Sequence, residues 1–135
     1  MSQADAKQVI VLRKDLNMRK GKMVAQGAHA SMAAILNQGV YRQAEGATVF
    51  ELRLPQDSAT ARWLQGRFKK ICVGVNSEDE LLSLHEQALA AGLPCALIQD
   101  SGLTEFGGVA TYTALAVGPA DPAALDAITG KLGLL

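Results

Sequence analysis

Four consecutive apolar residues, Val9-Ile10-Val11-Leu12, lie between Lys7 and Arg13, and three of the four are β-branched. Such a run predicts a buried strand. Turn chemistry follows over Asp15 to Gly21, with Asn17 and Gly21, and a helix then opens near Gly21 or Lys22 and runs to about Asn37, where Gln38-Gly39 supplies a stop signal. Val24, Ala28, Met32 and Ile35 give that helix an apolar face, while Ala25, Gly27, Ala30, Ala33 and Ala34 keep it slim enough to approach a sheet closely. Lys22, Gln26 and His29 fall at i, i+4 and i+7, so three long polar side chains share a second face. A strand feeding through a basic loop into a helix with a polar row can hold a site.

The alternation continues. Phe68 to Val75 reads as a strand, and Ser77 with Glu80 three residues later is a capping box for a helix running to Ala91, with Gly92 as its stop. Leu93 to Gln99 is a further strand, Thr111 to Val117 another, closed by Gly118-Pro119, and Pro122 to Ile128 a last helix. Residues 40–66 are less legible: Thr48 to Leu54 reads weakly as a strand, and Ser58 as the N-cap of a short helix through Leu64. Strands alternating with helices predict one α/β domain over residues 1–135, a three-layer α/β/α sandwich around a small mixed, mostly parallel sheet of about four strands. The link between the last two strands has no room for a crossover helix, which predicts one antiparallel member.

Charge narrows the function. The formal net charge is zero, yet residues 1–70 carry twelve Lys/Arg against five Asp/Glu, and residues 71–135 one Lys against eight acids. Five of the basic residues, Arg13, Lys14, Arg19, Lys20 and Lys22, crowd into ten positions, and Arg62, Arg67, Lys69 and Lys70 form a second cluster. A neutral chain with local cationic clusters suggests an anionic ligand held at one place; solvated surface faces explain the same charges equally well. Cys72 and Cys95 sit in apolar segments without CxxC spacing and read as reduced core residues. The polar start and the absence of a long apolar run predict a cytoplasmic protein with no membrane segment.

The chemistry falls at two strand ends, because ligands of open α/β sheets gather beyond the carboxyl ends of the strands. The first strand leads into the basic loop and Lys22; the third leads into Asp100-Ser101-Gly102-Leu103-Thr104-Glu105. If those strands are neighbours, Asp100 and Thr104 face Lys22, Gln26 and His29 across one crevice. A carboxylate beside a lysine stays ionised and can act as a base or orient a water, and a lysine at a helix start can hold a phosphate or steady an oxyanion. Plainer roles stand beside these: an Asx-turn for Asp100, a solvated first-turn residue for Lys22, a structural histidine for His29. There is no GxSxG, Walker, GxGxxG or HExxH motif, and two histidines 56 positions apart do not suggest a metal site. A hydrolase built from these parts works by positioning water and substrate.

The segments Lys22 to Ala30, Trp63 to Ile71, Gly92-Leu93-Pro94 through Asp100-Ser101-Gly102-Leu103-Thr104-Glu105, and Gly118-Pro119 through Thr129-Gly130 together resemble the second family of peptidyl-tRNA hydrolases, common in archaea and eukaryotes with a bacterial branch. The resemblance covers nearly the whole chain. It implies a cytoplasmic enzyme that cleaves the ester between a peptide and the terminal ribose of tRNA, needs no metal or other cofactor, takes peptidyl-tRNA as substrate and often forms a homodimer. By motif, Lys22 becomes an active-site cation, Asp100 the key carboxylate and Thr104 a water- or substrate-positioning hydroxyl, with Gln26 and His29 lining the cleft. The family's further threonine falls on Thr113 when counted back from Gly118-Pro119. Counted forward from Asp100 it lands on Tyr112, which leaves Thr111 as a rival. Arg13, Lys14, Arg19 and Lys20, joined by Arg67, Lys69 and Lys70, are then candidates to grip tRNA phosphates. Two other readings fit the same scaffold: a non-catalytic domain that binds tRNA or the translation machinery, and a general small-molecule esterase or amidase.

Overall fold

A computed structural model of the chain describes residues 5–103 and 105–135. The order is β1 (Lys7–Arg13), α1 (Lys20–Leu36), β2 (Val40–Ala44), β3 (Ala47–Glu51), α2 (Ala59–Gln65), β4 (Lys69–Val75), α3 (Glu78–Ala90), β5 (Cys95–Asp100), β6 (Thr111–Ala120) and α4 (Pro122–Thr129). A four-stranded sheet runs β4-β1-β6-β5, and β2 with β3 forms a separate hairpin. β1 pairs parallel with β4, while β6 is antiparallel to both β1 and β5. Three strands therefore share one direction and β6 alone is reversed. Because β6 lies between β1 and β5, only one neighbouring pair is parallel, and the strand carrying Asp100 does not adjoin the strand that leads to Lys22.

Each face of the sheet has its own packing. On one, Val9, Val11, Val73, Val75, Leu115 and Val117 pack with Leu81, Leu84 and Ala88 of α3 and Leu125 of α4. On the other, Ile10, Leu12, Ala96, Ala114 and Ala116 meet Ala30 and Ala34 of α1. Small residues on both sides let α1 settle low, and a Cβ added at Gly27 would stand 3.4 Å from Ile10 Cγ2. The buried residues of α1 are Gln26, Gly27, Ala30 and Ala34. Val24 is 72% exposed and Met32 61%, so the apolar stripe read as the packing face points outward. The alanine-rich sheet surface leaves no room for larger side chains, and a member of the polar row, Gln26, goes inside instead.

The capping signals hold locally. Ser58 accepts from the Ala61 amide at the start of α2, and Ser77 from the Glu80 amide at the start of α3. Asn17 takes φ of 52° in the turn after β1. β6 continues past Gly118-Pro119 to Ala120, and Glu45 and Gly46, both at positive φ, close the β2–β3 hairpin. The apolar chain end lies along the outer edge of β4: Leu134 bridges to Val73, and the Leu135 amide donates to the Cys72 carbonyl. An otherwise open strand edge is thereby partly covered.

Candidate active site

α1 runs across β6 and β5 and carries Lys22 over the carboxyl end of β5. Lys22 Nζ lies 2.9 Å from Asp100 Oδ1, with both side chains 13% exposed. Gln26, one turn further along α1, donates from Nε2 to the same Oδ1 at 3.4 Å. Thr113, fully buried on β6, donates its hydroxyl to Gln26 Oε1. That last bond fixes the amide: with its oxygen taken by Thr113, Gln26 turns its NH₂ toward the carboxylate. Asp100 Oδ2 accepts from the Gly102 amide at 2.8 Å. The Asx-turn and the charged pair therefore coexist, one oxygen each.

These contacts have one electrostatic result. The Lys22 hydrogen bond first, then the Gly102 amide, hold the Asp100 carboxyl below its ordinary range against the opposing effect of burial. Asp100 is an anion at neutral pH, clamped by donors on both oxygens. The turn that carries it depends on Gly102, at φ of 84°, where a Cβ would meet the Val109 carbonyl oxygen at 2.1 Å. Phe106 packs against the α1-side core and sets its ring 5.7 Å from Lys22 Nζ. Its place in the site is not carried by any motif. The signal available was a single aromatic residue ahead of Gly107-Gly108 in a loop next to the Asp100 motif.

The structure thus brings together Lys22, Gln26, Asp100 and Thr113. Thr111, the rival threonine, directs its hydroxyl to the Val109 carbonyl at 2.8 Å, away from this network. Thr104 lies outside the described residues. His29 is exposed on α1. The basic residues divide. Arg13 forks onto Asp15 with Nη2 at 2.6 Å and donates Nη1 to the Tyr112 carbonyl at 3.0 Å, so its guanidinium ties the β1 turn to β6. The Lys14 stem lies across Gly74, and Lys20 borders an apolar groove of about 460 Å³ formed with Met23, Val24, Ala28, Cys72 and Leu135. Arg19 Nε sits 3.3 Å from Glu105 Oε1.

The second basic cluster stands at the other end of the sheet. β4 begins at Lys69, paired with Lys7, and at about 3.3 Å per residue the cluster lies about 20 Å from the carboxyl edge. Arg62 pairs with Asp121 and Arg67 with Asp5, while Lys70 Nζ lies 3.3 Å over the Phe68 ring. Among the described residues, no three His, Cys, Asp or Glu side chains gather as a metal-binding group, and no helix is long and apolar enough to cross a membrane.

Comparison with known proteins converges on one family. The family described as "Peptidyl-tRNA hydrolase PTH2" matches residues 6–135. A protein of Methanocaldococcus jannaschii named peptidyl-tRNA hydrolase is 41% identical over 129 residues, covering 96% of this chain and 99% of its own. A Methanopyrus kandleri protein of the same name is 41% identical over 129 residues, with 96% and 97% covered. One from Halobacterium salinarum is 42% identical over 128 residues, with 95% and 98% covered.

Proposed function

This chain belongs to the peptidyl-tRNA hydrolase PTH2 family, and we propose that it hydrolyses the ester between a peptide, or an N-blocked amino acid, and the 3′ ribose of tRNA at the Lys22–Asp100 pair. The carrying observation is that pair itself, 2.9 Å apart and mostly buried, with Gln26 and Thr113 fixing the carboxylate from behind.

Asp100 accepts a proton from a water as the water oxygen attacks the ester carbonyl. The tetrahedral oxyanion forms beside the Lys22 ammonium, and its collapse expels the ribose 3′ oxygen, which takes the proton back from Asp100. Positioned bases contribute about 10²- to 10⁴-fold, and one oxyanion donor about 10²- to 10³-fold. Because Lys22 holds Asp100 ionised, it also makes the carboxylate a weaker base; orientation of the water is then the larger part of its role. An ester, unlike an amide, needs no protonation of its leaving group before collapse, so a weak base suffices. Thr104, from the D-x-G-x-T motif, adds a hydroxyl that positions water or substrate. Lys14, Arg19 and Lys20 hold tRNA phosphates, contacts that carry no base sequence and suit an enzyme serving many tRNAs. His29 and Arg13 stand behind these as lesser members of the binding surface.

The enzyme works in the cytoplasm, where peptidyl-tRNA arises. It pairs as a homodimer, with the apolar groove of Met23, Val24, Ala28, Cys72 and Leu135 as the contact surface. Sedimentation at working concentration checks this; a monomer would refute it. For the activity, purified protein is incubated with N-acetylated aminoacyl-tRNA and, separately, with a simple acyl ester. Release of the acyl group from tRNA alone is expected. Equal turnover of the simple ester would make the protein a general esterase, and tRNA binding without release would make it a binding domain.

A further inference from the structure

Arg19 occupies the N-cap position of α1, one turn before Lys22, and its ion-pair partner Glu105 follows Asp100 by five residues. The partners are unlike. The Arg19 side chain is 87% exposed and that of Glu105 only 17%, so the carboxylate is the seated member and the guanidinium the one reachable from solvent. The first turn of α1 carries no acidic residue and its start has no side-chain cap. Negative charge is favoured at such a helix start, and the carboxylate paired with the side chain of its N-cap residue comes from Glu105, in a different segment of the chain.

We infer that Glu105 is a built-in stand-in for a substrate phosphate on Arg19, so that tRNA must displace it to take that cation. The inference rests on tRNA being the ligand of the site. It makes Glu105 a residue that sets substrate affinity without touching the reacting atoms. With the Arg19 side chain 87% exposed the pair is screened by solvent and weak, and the many phosphates of a polynucleotide compete for Arg19 where a neutral small ester does not. The pair then holds Arg19 in place at the edge of the site and releases it to the tRNA part of the substrate. Glu105 therefore tunes how strongly the enzyme depends on that part.

The test is binding of uncharged tRNA at low salt to the full chain and to Glu105→Gln, Arg19→Ala and the double variant, with hydrolysis of N-acetylated aminoacyl-tRNA measured in parallel. The Arg19 side chain is exposed and that of Glu105 mostly buried, and circular dichroism checks that each variant is folded. Glu105→Gln is expected to bind about two- to five-fold more tightly than wild type, the range an exposed pair supports. Arg19→Ala and the double variant are expected to bind equally weakly. Equal tightening by Glu105→Gln with and without Arg19 would overturn the inference, since the effect would then be loss of a general repulsion; no tightening would overturn it as well. Wild-type hydrolysis with either of those results leaves the proposed activity standing. Arg19-dependent tightening without any hydrolysis would uphold the inference and remove the activity. Absence of tRNA binding by the wild type would remove both.

Discussion

Two buried glutamines, one at each end of the interface between α1 and the sheet, make the clearest comparison in the molecule. At the amino end of β1, Gln8 is fully buried. It donates to the Ser31 carbonyl at 3.2 Å and the Gly118 carbonyl at 3.3 Å, and accepts from the Ser31 hydroxyl. Every partner is neutral, and the amide ties β1, α1 and β6 into a closed knot. At the other end Gln26 is equally buried and equally directed by a hydroxyl, that of Thr113, but its NH₂ faces the Asp100 carboxylate. Saturated neutral networks specify packing; the same side chain placed behind a partly exposed ion pair aims a charge. Burial of a polar residue does not mark function. What distinguishes the proposed site is a charge in its network.

Substitutions at the two ends should therefore separate activity from stability. The largest effect among the supporting residues falls on Lys22→Met, for which turnover of N-acetylated aminoacyl-tRNA should drop about 10²- to 10³-fold. The same variant raises the Asp100 pKa toward the ordinary carboxylate value, which a carbon-detected NMR titration of the side chain reads directly. The sign follows from the depressed folded-state pKa. The contribution of the pair to stability is full above the unfolded pKa of the carboxyl and is lost as pH falls through the folded one. An Asp100 titration unmoved by Lys22→Met would contradict the pairing.

Next comes Thr113→Val. Without the hydroxyl, Gln26 loses the contact that orients its amide, and turnover should fall about ten-fold, the equivalent of one modest hydrogen bond in the transition state. Thr111→Val, which removes only a bond to the Val109 carbonyl, should leave turnover near wild type. Reversed results would move the site threonine to Thr111. Smallest in activity is Gln8→Leu. It removes the partner of the Ser31 hydroxyl and of the Gly118 carbonyl, so stability should fall by about 1–3 kcal/mol in urea unfolding, with turnover at 25 °C retained. A loss of turnover at unchanged stability would erase the distinction between the two ends.

Much of this arrangement was legible in the residues, for local reasons. The β-branched run of β1, the Ser77 capping box and the Asp100-x-Gly102 turn depend on neighbours in sequence, and they appear where those neighbours put them. The hairpin Val40–Glu51 was half missed because its side chains are mostly exposed, and a strand pair with no buried face writes little alternation into its sequence. The position of β6 between β1 and β5 is a long-range pairing with no local signature. Gln8 gave no warning beyond a polar residue beside an apolar run, and the tie of the Arg13 guanidinium to the Tyr112 carbonyl is a long-range contact, although its bond to Asp15 two residues away is local. Gln26 was legible as a polar position on a helix. Its burial was not, because that depends on how small the alanines of β5 and β6 leave the surface beneath it.

The central claim is that the clamped carboxylate at the end of β5 performs the hydrolysis, and Asp100→Asn tests it most directly. Single-turnover release of the acyl group from N-acetylated aminoacyl-tRNA is measured alongside tRNA affinity for the wild type and the variant. The predicted result is a loss of about 10²- to 10⁴-fold in the hydrolytic rate with tRNA affinity essentially kept. Hydrolysis at the wild-type rate by Asp100→Asn would contradict the account.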